Sequence, residues 1–493
     1  MIYNFNLGIG WASSGVEYAQ IYRARMFRNI GVDAKFVFTD MFPSENMEHM
    51  TKNIGFLDSE VIWLYTFFTD FKTAPVTYTL SDLEKTFTDL NYTKTREGKI
   101  CRYVFGGSNN FYTAYMVNDH DDFVHRVELV SNGFLIRKDY FTYGRVYSEY
   151  YAPLDNKAHL YHRRFFNENG SVAYEEIIDD DRVMYKFKDN ILCSKEEFVG
   201  YMVSQLHLTK DDVVLIDRST DIGQSILMNC KPARVGTVVH ADHFSEKDTN
   251  NDYILWNNFY EYEFNMHKHI DFYICSTQAQ SDLMVQQFEK YYGVTPCVYT
   301  IPVGSLPELK YPKENRKPFS LITASRLASE KHVDWICKAV IQARSEVPEV
   351  SLDIYGEGGE KSKLETIIRD NNASDYIHLM GQHDLSEVYQ KYEAYIAGST
   401  SEGFGLTLME AVGGGLPIIG FDVRYGNPTF IRNGENGYLL DLPEEDKERI
   451  EALRKGIVDL FKQDLEKCHS VSYEVAKDFL TCNVQEKWRE AVC

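Results

Sequence analysis

The period of the hydrophobic pattern changes twice along this 493-residue chain, and that change limits the folds open to it. Near both ends, short apolar runs alternate with segments of helical spacing, which is the pattern of βαβ units in a parallel sheet. Between about residues 61 and 190, Tyr and Phe are dense and apolar residues recur at every second position, as in an antiparallel meander. The chain is therefore predicted to be an α/β protein whose first parallel-sheet domain carries an inserted antiparallel sheet.

The first forty residues contain the clearest βαβ unit. A strand is predicted at residues 2–8, a loop of small residues at 8–18, a helix at 16–30 that ends at Gly31, and a second strand at 35–39. The loop lacks the G-x-G-x-x-G spacing and the distant acid of a dinucleotide site. A small-residue loop before a helix N-terminus instead favours a ligand that carries phosphate.

Turn signals divide the insertion into hairpins. They fall at residues 118–119, 132–133 and 169–170, between strands predicted at 111–117, 123–130, 134–140 and 158–166. An aromatic sheet with one free face would be a protein-binding surface. A sheet whose aromatic side chains are all buried internally fits the same pattern, so both interpretations remain open from the sequence.

The parallel-sheet pattern resumes after the insertion and continues into a second domain that begins near Lys317. Strands are predicted at 212–216, 234–240 and 272–276 in the first domain, and at 319–324, 351–355, 377–380, 394–397 and 416–421 in the second. The proline-containing segment 299–307 is the predicted hinge, and a last helix is predicted at about residues 473–492.

Charge and cysteine content argue against several functional classes. A net charge of −21 disfavours nucleic acid binding and direct attachment to an anionic membrane through a basic surface. Nine cysteines without a C-x-x-C pair argue against a disulfide framework or a zinc ribbon and favour a reducing compartment. Because neither a signal-peptide pattern nor a run of about 18 apolar residues is found, we expect a cytoplasmic protein, at most peripheral to the inner face of the cell membrane.

The segment from Ser399 to Ala411 carries the strongest indication of function. It places Glu402 and Glu410 eight positions apart, with two glycines after the first carboxylate and then the start of a helix-periodic run. Glycines allow close approach of the backbone to a ligand, and the first turn of a helix favours phosphate. A carboxylate beside a phosphate site repels the phosphate but can accept hydrogen bonds from hydroxyl groups. A sugar nucleotide satisfies both conditions.

Two cations precede another helical run. Arg326 and Lys331 follow the strand predicted at 319–324, and together they could neutralise a diphosphate and the charge that grows on it as it leaves. The sequence has no D-x-D motif in a convincing place and no His, Cys and carboxylate cluster with ligand spacing. A metal is therefore not expected to be required.

These motifs resemble those of the retaining glycosyltransferases of the family 4 type, which have the GT-B fold. Glu402 and Glu410 match the family's E-x7-E signature, and Arg326 and Lys331 match its Arg and Lys motif, with His332 in place of the usual Gly. The resemblance implies two Rossmann-like domains facing a cleft. It also implies that Glu402 contacts the donor sugar, that Glu410 contacts the ribose, and that the two cations hold the diphosphate.

The resemblance also extends the set of candidate site residues. A His near the sugar is common in the family at the position of His240, and the segment at Gln382 and His383 lies where the family's backbone grips the base. The candidate catalytic residues are Arg326, Lys331 and Glu402. The candidate donor-binding residues are Ser14, Gly15, Val16, Glu17, Tyr18, His240, Gln382, His383, Glu402, Gly403, Phe404, Gly405, Leu406 and Glu410.

Within the family, the whole chain looks most like the catalytic A subunits of the accessory-Sec glycosyltransferase complexes of Gram-positive bacteria. The segments that carry this likeness are 6–19, 137–141, 253–258 and 399–410, while Asp242 and Phe244 depart from the expected Glu and Tyr. The likeness implies transfer of N-acetylglucosamine from UDP-GlcNAc to Ser or Thr of a serine-rich repeat adhesin before export. It also implies a related, non-catalytic B subunit bound to the inserted sheet.

The likeness gives a domain layout and leaves two alternatives for function. It implies an N-terminal Rossmann-like domain at 1–60 and 191–310, an inserted β-meander at 61–190, a nucleotide-sugar-binding domain at 311–470 and a C-terminal helix at 471–493 that crosses back to the first domain. One alternative uses UDP-glucose as donor. In the other, the chain is a non-catalytic substrate-binding subunit, although its retained motifs argue against that.

Overall fold

The computed structural model describes residues 1–9, 15–43, 45–87, 91–106 and 109–493. The strands are β1 (Ile2–Asn6), β2 (Ala34–Phe38), β3 (Val61–Trp63), β4 (Tyr92–Glu97), β5 (Ile100–Phe105), β6 (Phe111–Met116), β7 (Val124–Ser131), β8 (Phe134–Phe141), β9 (Arg145–Leu154), β10 (Lys157–Phe166), β11 (Val172–Asp179), β12 (Arg182–Lys186), β13 (Ile191–Leu192), β14 (Val213–Ile216), β15 (Arg234–Val239), β16 (Phe244–Ser245), β17 (Leu255–Trp256), β18 (Phe272–Cys275), β19 (Val298–Thr300), β20 (Ser320–Ala324), β21 (Ser351–Tyr355), β22 (Ile377–Gly381), β23 (Ala394–Ile396), β24 (Ile418–Phe421) and β25 (Gly437–Leu440).

The α-helices are α1 (Gly15–Ile30), α2 (Met47–Ile54), α3 (Leu64–Phe67), α4 (Leu80–Glu84), α5 (Lys195–Gln205), α6 (Gly223–Asn229), α7 (Glu261–Asn265), α8 (Gln278–Tyr292), α9 (Val333–Ala343), α10 (Lys361–Asp370), α11 (Leu406–Gly413), α12 (Gly426–Phe430), α13 (Asp446–Leu460), α14 (Leu465–Lys477) and α15 (Thr481–Val492). Among the helices in the described ranges, none combines the length and the low polarity that crossing a bilayer requires.

The backbone divides into two compact units. The first comprises Met1–Ala24, Val32–Val238 and Asn258–Asp271, and the second comprises Arg25–Gly31, Val239–Asn257 and Phe272–Cys493. The domain boundaries given by the sequence remain a prediction.

The first unit contains parallel strands in the order β15, β14, β1, β2 and β3, with Ile2 paired to both Val213 and Ala34. It also contains the ten-stranded antiparallel sheet from β13 to β4, in which every strand pairs with its neighbours in sequence. The strands predicted within the insertion are present to within two residues, and the three predicted turns lie between strands.

One face of the inserted sheet is built on a row of stacked aromatic rings. Tyr140, Tyr147, Phe165 and Tyr174 are cross-strand partners, with ring centroids 4.3 Å apart for the first pair and 4.5 Å apart for the last. These rings are buried in the core that the sheet shares with β2, β3 and α5. Stacked rings at this spacing stabilise the sheet beyond the area that they bury.

A row of alternating charge runs beside the aromatic row on the same face. Glu128, Lys138, Glu149, Arg163 and Glu176 are successive cross-strand partners, and Arg163 lies 2.9 Å from Glu149 and 2.7 Å from Glu176. Burial of these charges costs free energy, which the ion pairs and hydrogen bonds must offset. Because a register slip would move side chains to the opposite face, this row specifies the register of the sheet.

The opposite face is covered near β5 to β7, where α4 packs on Cys101, Tyr103 and Ala114, but it is open near β10 to β12. There Ile177 is 40% and Met184 is 37% exposed. Among the aromatic residues of the insertion, Tyr92 is 38%, Phe134 is 50% and Tyr161 is 43% exposed, so the aromatic side chains are not all internal. One part of the sheet presents a free face.

The second unit contains a six-stranded parallel sheet in the order β22, β21, β20, β23, β24 and β25. The strands predicted for the second domain are all present, each within two residues of its predicted ends. Helices α9, α10 and α13 cover one side of this sheet through Trp335, Ile336 and Leu453, and α11 and α14 supply another apolar cluster. The unit also contains the parallel pair β18 and β19 and the hairpin β16–β17.

The predicted last helix at 473–492 is wrong, because the chain forms two helices, α14 and α15, separated by Asp478 to Leu480. Residues 478–479 form a turn, and the extended residue Leu480 bridges to Leu306, whose N–H donates to Phe479 O and whose carbonyl accepts from Thr481 N. The hydrogen bonds to Leu306 therefore outweigh the helical periodicity of the sequence, which continues through residues 478–480. The Trp488 ring of α15 packs edge-on against Phe27, at 5.3 Å between centroids.

The predicted hinge at 299–307 begins inside strand β19, so its first two residues are part of a sheet. Gly31 has φ +71°, in agreement with its predicted role at the end of α1.

A buried ion pair fixes α1 in the first unit. Arg23 lies 2.7 Å from Asp217 at the end of β14, both side chains are at most 2% exposed, and Arg23 also donates to the Asn4 side chain at 2.8 Å. Removal of one partner leaves a buried charge without compensation, which is more costly than loss of a surface pair.

We therefore expect Asp217→Asn to lower the free energy of unfolding by about 3–5 kcal/mol, since the Arg23 guanidinium loses its counter-charge. The measurement is the urea midpoint, followed by intrinsic fluorescence. Asp122→Asn is the matched control, because Asp122 pairs with Arg96 at the surface and little change is expected. Equal shifts for the two variants would contradict a special contribution of the buried pair.

Candidate active site

The loop after β20 carries the two predicted cations, and a glycine turn holds it. Leu327 N donates to Glu357 O at 3.0 Å, and Glu360 N donates back to Leu327 O at 3.0 Å. At Gly356, φ is +132° and an added Cβ would lie 1.9 Å from Ser325 O. The turn after β21 therefore approaches the Arg326 loop backbone to backbone, which requires glycine.

Arg326 and Lys331 differ in their surroundings. The Arg326 side chain is 75% exposed and pairs only loosely with Glu330 at 3.1 Å, whereas Lys331 is 21% exposed and lies 2.5 Å from Glu402 Oε2. An exposed pair four residues apart contributes a few tenths of a kcal/mol, so Arg326 is easily released for another anion.

The backbone conformation at His332 explains why Gly is usual at this position in the family. His332 has φ +44° in the left-handed region and precedes α9. Its ring stacks on Trp335 at 3.5 Å between centroids, which favours this conformation for a residue that bears a Cβ.

Glu402 is held from several sides. Ser399 Oγ lies 3.4 Å from its carboxylate, its carbonyl accepts from Tyr425 N at 2.6 Å and from Gly426 N at 2.7 Å, and its own N–H donates to Arg424 O at 3.2 Å. Both its backbone and its carboxylate are therefore fixed by contacts within the protein.

Helix α11 begins directly after the glycine pair. Gly405 has φ +86°, Leu406 is the first helical residue, and Phe404 is buried against Phe430 and Phe479. Buried Phe404 anchors the turn, and the first turn of a helix is a favourable place for a phosphate group.

Glu410 lies on α11 and accepts a hydrogen bond from the Tyr389 hydroxyl at 2.9 Å. Burial raises the pKa of this carboxyl, the hydrogen bond from Tyr389 lowers it, and the charge of Asp384 raises it further. The net result is a carboxylate that protonates at a higher pH than an ordinary Glu.

Tyr395 joins the Arg326 loop to α11. Its hydroxyl donates to Ala324 O at 2.9 Å and contacts Thr407 Oγ1 at 3.1 Å. The structure thus brings together the loop that carries the cations, Glu402 and the start of α11.

Gln382 and His383 lie in an exposed loop that follows Gly381, whose φ is +76°. His383 Nε2 lies 2.8 Å from Met380 O, and its ring stands edge-on to Tyr355. The ring therefore helps to hold the shape of the loop.

His240 is partly buried, and its carbonyl would lie 3.7 Å from a Cβ added at Gly403. Of the predicted N-terminal residues, Ser14 lies outside the described residues, and Gly15, Val16, Glu17 and Tyr18 form the first turn of α1. The Glu17 side chain is buried and accepts from Asn6 at 3.4 Å, so a contact of Glu17 with a donor would have to come from its backbone.

Sequence reasoning missed Tyr389, Tyr395 and the segment 424–426, and it favoured His240 over His243. Their contacts with the site join residues far apart in the chain, such as Tyr425 and His243, which are 182 positions apart, and local spacing carries no signal of that. In the part of the chain that the structure describes, no group of three or more His, Cys, Asp or Glu side chains is arranged to hold a metal ion. The assigned site roles and metal independence remain predictions.

Comparison with known proteins decides the family. The family model for glycosyl transferases group 1 matches residues 308–478, and that for the GtfA extended beta-sheet domain matches residues 93–189. The GtfA subunit of a UDP-N-acetylglucosamine–peptide N-acetylglucosaminyltransferase of Streptococcus agalactiae is 52% identical over 492 residues, which cover 99% of this chain and 97% of that protein. The chain belongs to the GtfA family.

Two solved structures of GtfA family members agree with this assignment. A pneumococcal O-GlcNAc transferase GtfA in complex with UDP and GlcNAc is 49% identical, with 100% of this chain and 98% of that chain covered and a TM-score of 0.86. A GtfA/B complex has a chain that is 52% identical, with 100% and 99% covered and a TM-score of 0.96. The predicted resemblance and the predicted fold class, GT-B with an inserted antiparallel sheet, are confirmed.

The glycine turn gives a test of how the Arg326 loop is supported. We expect Gly356→Ala to lower the melting temperature, at a cost of more than about 1 kcal/mol, because the new Cβ meets Ser325 O in a left-handed conformation. Gly359→Ala is the matched control, since no heavy atom lies within 4 Å of its added Cβ. Thermal unfolding of both variants is the measurement, and a Gly356→Ala melt equal to that of Gly359→Ala would contradict the close approach.

Proposed function

We propose that this chain is a retaining O-glycosyltransferase that moves N-acetylglucosamine from UDP-GlcNAc to Ser or Thr of a protein. The observation that carries the proposal is the 2.5 Å contact between Lys331 and Glu402, beside the first turn of α11, in a chain similar over its full length to GlcNAc transferase subunits. A cation for the departing diphosphate and a carboxylate for sugar hydroxyls lie side by side.

The proposed chemistry uses each group for one task. Arg326, Lys331 and the N–H groups of α11 hold the diphosphate and stabilise the charge that it gains as it leaves. Glu410 accepts hydrogen bonds from the ribose, and Glu402 orients the sugar. The acceptor hydroxyl attacks from the face that the leaving phosphate occupies, and a phosphate oxygen takes its proton, so no side-chain base is assigned.

We further propose that the acceptor is a serine-rich repeat adhesin, modified in the cytoplasm before accessory-Sec export. The free thiols of all nine cysteines support a reducing compartment.

A related, non-catalytic B subunit is the proposed partner, bound through the inserted sheet. The GtfA/B complex with a TM-score of 0.96 supports this, as does the open face near β10 to β12. On that face Arg164 and Lys186 are exposed beside apolar Ile177 and Met184, a mixture of charged and apolar groups that suits a protein interface.

The test is sugar transfer by the chain co-expressed with its B subunit, with a Ser/Thr-rich acceptor peptide and with UDP-GlcNAc or UDP-glucose supplied separately. We expect a mass gain of one N-acetylhexosamine that persists in chelator and disappears in Glu402→Gln. Arg326→Ala should lower the rate about 10²-fold or more, because stabilisation of the leaving group is lost.

Arg369→Ala is the matched control for charge removal, since Arg369 is an exposed arginine that pairs with Asp370 on α10, and an unchanged rate is expected. Transfer from UDP-glucose but not from UDP-GlcNAc would show that the donor is UDP-glucose. Absence of transfer from either donor by a folded complex would favour a non-catalytic subunit.

The raised pKa of Glu410 predicts a pH dependence of donor binding. The ionised carboxylate accepts hydrogen bonds from the ribose, so affinity is present above the folded-state pKa and lost as the pH falls through it. Because burial raises this pKa, the loss should begin above the range of an ordinary Glu, whose pKa is about 4.3.

The measurement is calorimetric titration of UDP-GlcNAc at a series of pH values. UDP-GlcNAc is preferred to UDP because its diphosphate has no terminal phosphate group to titrate. Glu410→Gln should bind more weakly at neutral pH and lose the acid-side decrease, and an identical decrease in both proteins would assign it to another group.

A further inference from the structure

The backbone that clamps Glu402 is itself anchored by a loop that is distant in sequence. Residues 424–426 hold Glu402 through the three backbone hydrogen bonds described above. Gly426 lies so close that an added Cβ would be 2.9 Å from Glu402 Cγ and 2.4 Å from Phe404 O. A shift of this segment would therefore be transmitted directly to the side chain of Glu402.

The anchor is a chain of three buried side chains. The Tyr425 ring is 1% exposed and its hydroxyl lies 3.2 Å from His243 Nδ1, while His243 Nε2 lies 2.7 Å from Gln287 Oε1 on α8. His243 is fully buried, and its ring lies nearly parallel to those of Tyr425 and Trp256, at 6.1 and 6.2 Å between centroids. Buried polar side chains of this kind are held in one geometry by their hydrogen bonds.

The direction of the hydrogen bonds follows from the protonation states. Burial lowers the pKa of His243 to about 4, so the ring is neutral near pH 7. Burial, the charge of Asp242 and a hydrogen bond to the Asp242 carboxylate raise the pKa of Tyr425, so its hydroxyl keeps its proton. His243 Nε2–H then donates to Gln287, and Nδ1, which carries no proton, faces the Tyr425 hydroxyl as an acceptor.

The loop of residues 242–246 also holds Arg424, the first residue of the segment 424–426. Arg424 pairs with Glu246 and lies over the Phe244 ring, 5.0 Å from its centroid. Residues 242–246 thus make three interactions, one with Tyr425 and two with Arg424. All three act on the backbone segment that holds Glu402.

We propose that Tyr425, His243 and Gln287 are positioning residues for Glu402 and that they determine how strongly the site binds the sugar part of the donor. Glu402 faces sugar hydroxyls in the proposed function, on which this inference rests, whereas the nucleotide part depends on Glu410, Arg326 and the start of α11. Loss of the chain of hydrogen bonds should therefore weaken sugar recognition and leave nucleotide recognition intact.

The experiment compares affinities for UDP-GlcNAc and UDP in the full-length complex by calorimetry. Tyr425→Phe removes one hydroxyl without changing the ring, and it should reduce the affinity for UDP-GlcNAc about fivefold to tenfold while the affinity for UDP stays at the wild-type value. Gln287→Met removes the acceptor of the hydrogen bond from His243 Nε2. It should also reduce the affinity for UDP-GlcNAc, by a smaller factor. The double variant should fall short of the sum of the two effects, because both act on one chain of contacts.

Tyr174→Phe is the matched control, since it removes a buried hydroxyl that donates to Tyr65 O at 2.7 Å in the first unit. It should lower the melting temperature and leave the ratio of the two affinities unchanged. If Tyr425→Phe is also less stable but keeps the wild-type ratio, its role is structural only and the inference is wrong. If the wild-type complex itself fails to bind UDP-GlcNAc, the proposed function fails first, so the two failures are distinguishable.

Discussion

The contact between Lys331 and Glu402 is the interaction on which the candidate site depends. The ammonium and the carboxylate neutralise each other at 2.5 Å while each is only about a fifth exposed. Neither could remain there alone without a desolvation cost. The glycine turn behind the Arg326 loop, the backbone clamp on Glu402 and the anchored start of α11 each fix one side of this pair. A ligand that offers an anion to the ammonium and hydroxyl groups to the carboxylate would separate the pair while both groups stay hydrogen-bonded.

Much of the architecture could be predicted from the sequence, because periodicity reports which faces of strands and helices are buried. The strands of the second sheet and the hairpins of the insertion follow their patterns closely, since local turn chemistry and burial agree there. The break between α14 and α15 could not be predicted, because it depends on a bridge between Leu480 and Leu306, far away in the chain. The burial of Glu17 was missed for a similar reason, since its partner Asn6 lies on a strand that packs against the helix.

The candidate site shows the same limit. Glu402, Glu410, Arg326 and Lys331 stand in recognisable spacings, so their types and order could be read directly. What holds them, including Tyr389, Tyr395 and the chain from Tyr425 to Gln287, joins elements that only the fold brings together. Sequence patterns therefore indicate which chemical groups a site contains, and tertiary packing decides where those groups point.

The order of pairing in the first unit has a consequence for biosynthesis. Each strand of the inserted sheet bonds to its neighbour in the chain, so this sheet can assemble hairpin by hairpin as it leaves the ribosome. Strand β1, by contrast, needs β14, and Ile2 meets Val213 only after the whole insertion has been translated. The N-terminal strand can therefore gain its second neighbour only after the insertion has been translated. The parallel sheet of the first unit is completed late in synthesis, when every strand of the insertion already has its partners at hand.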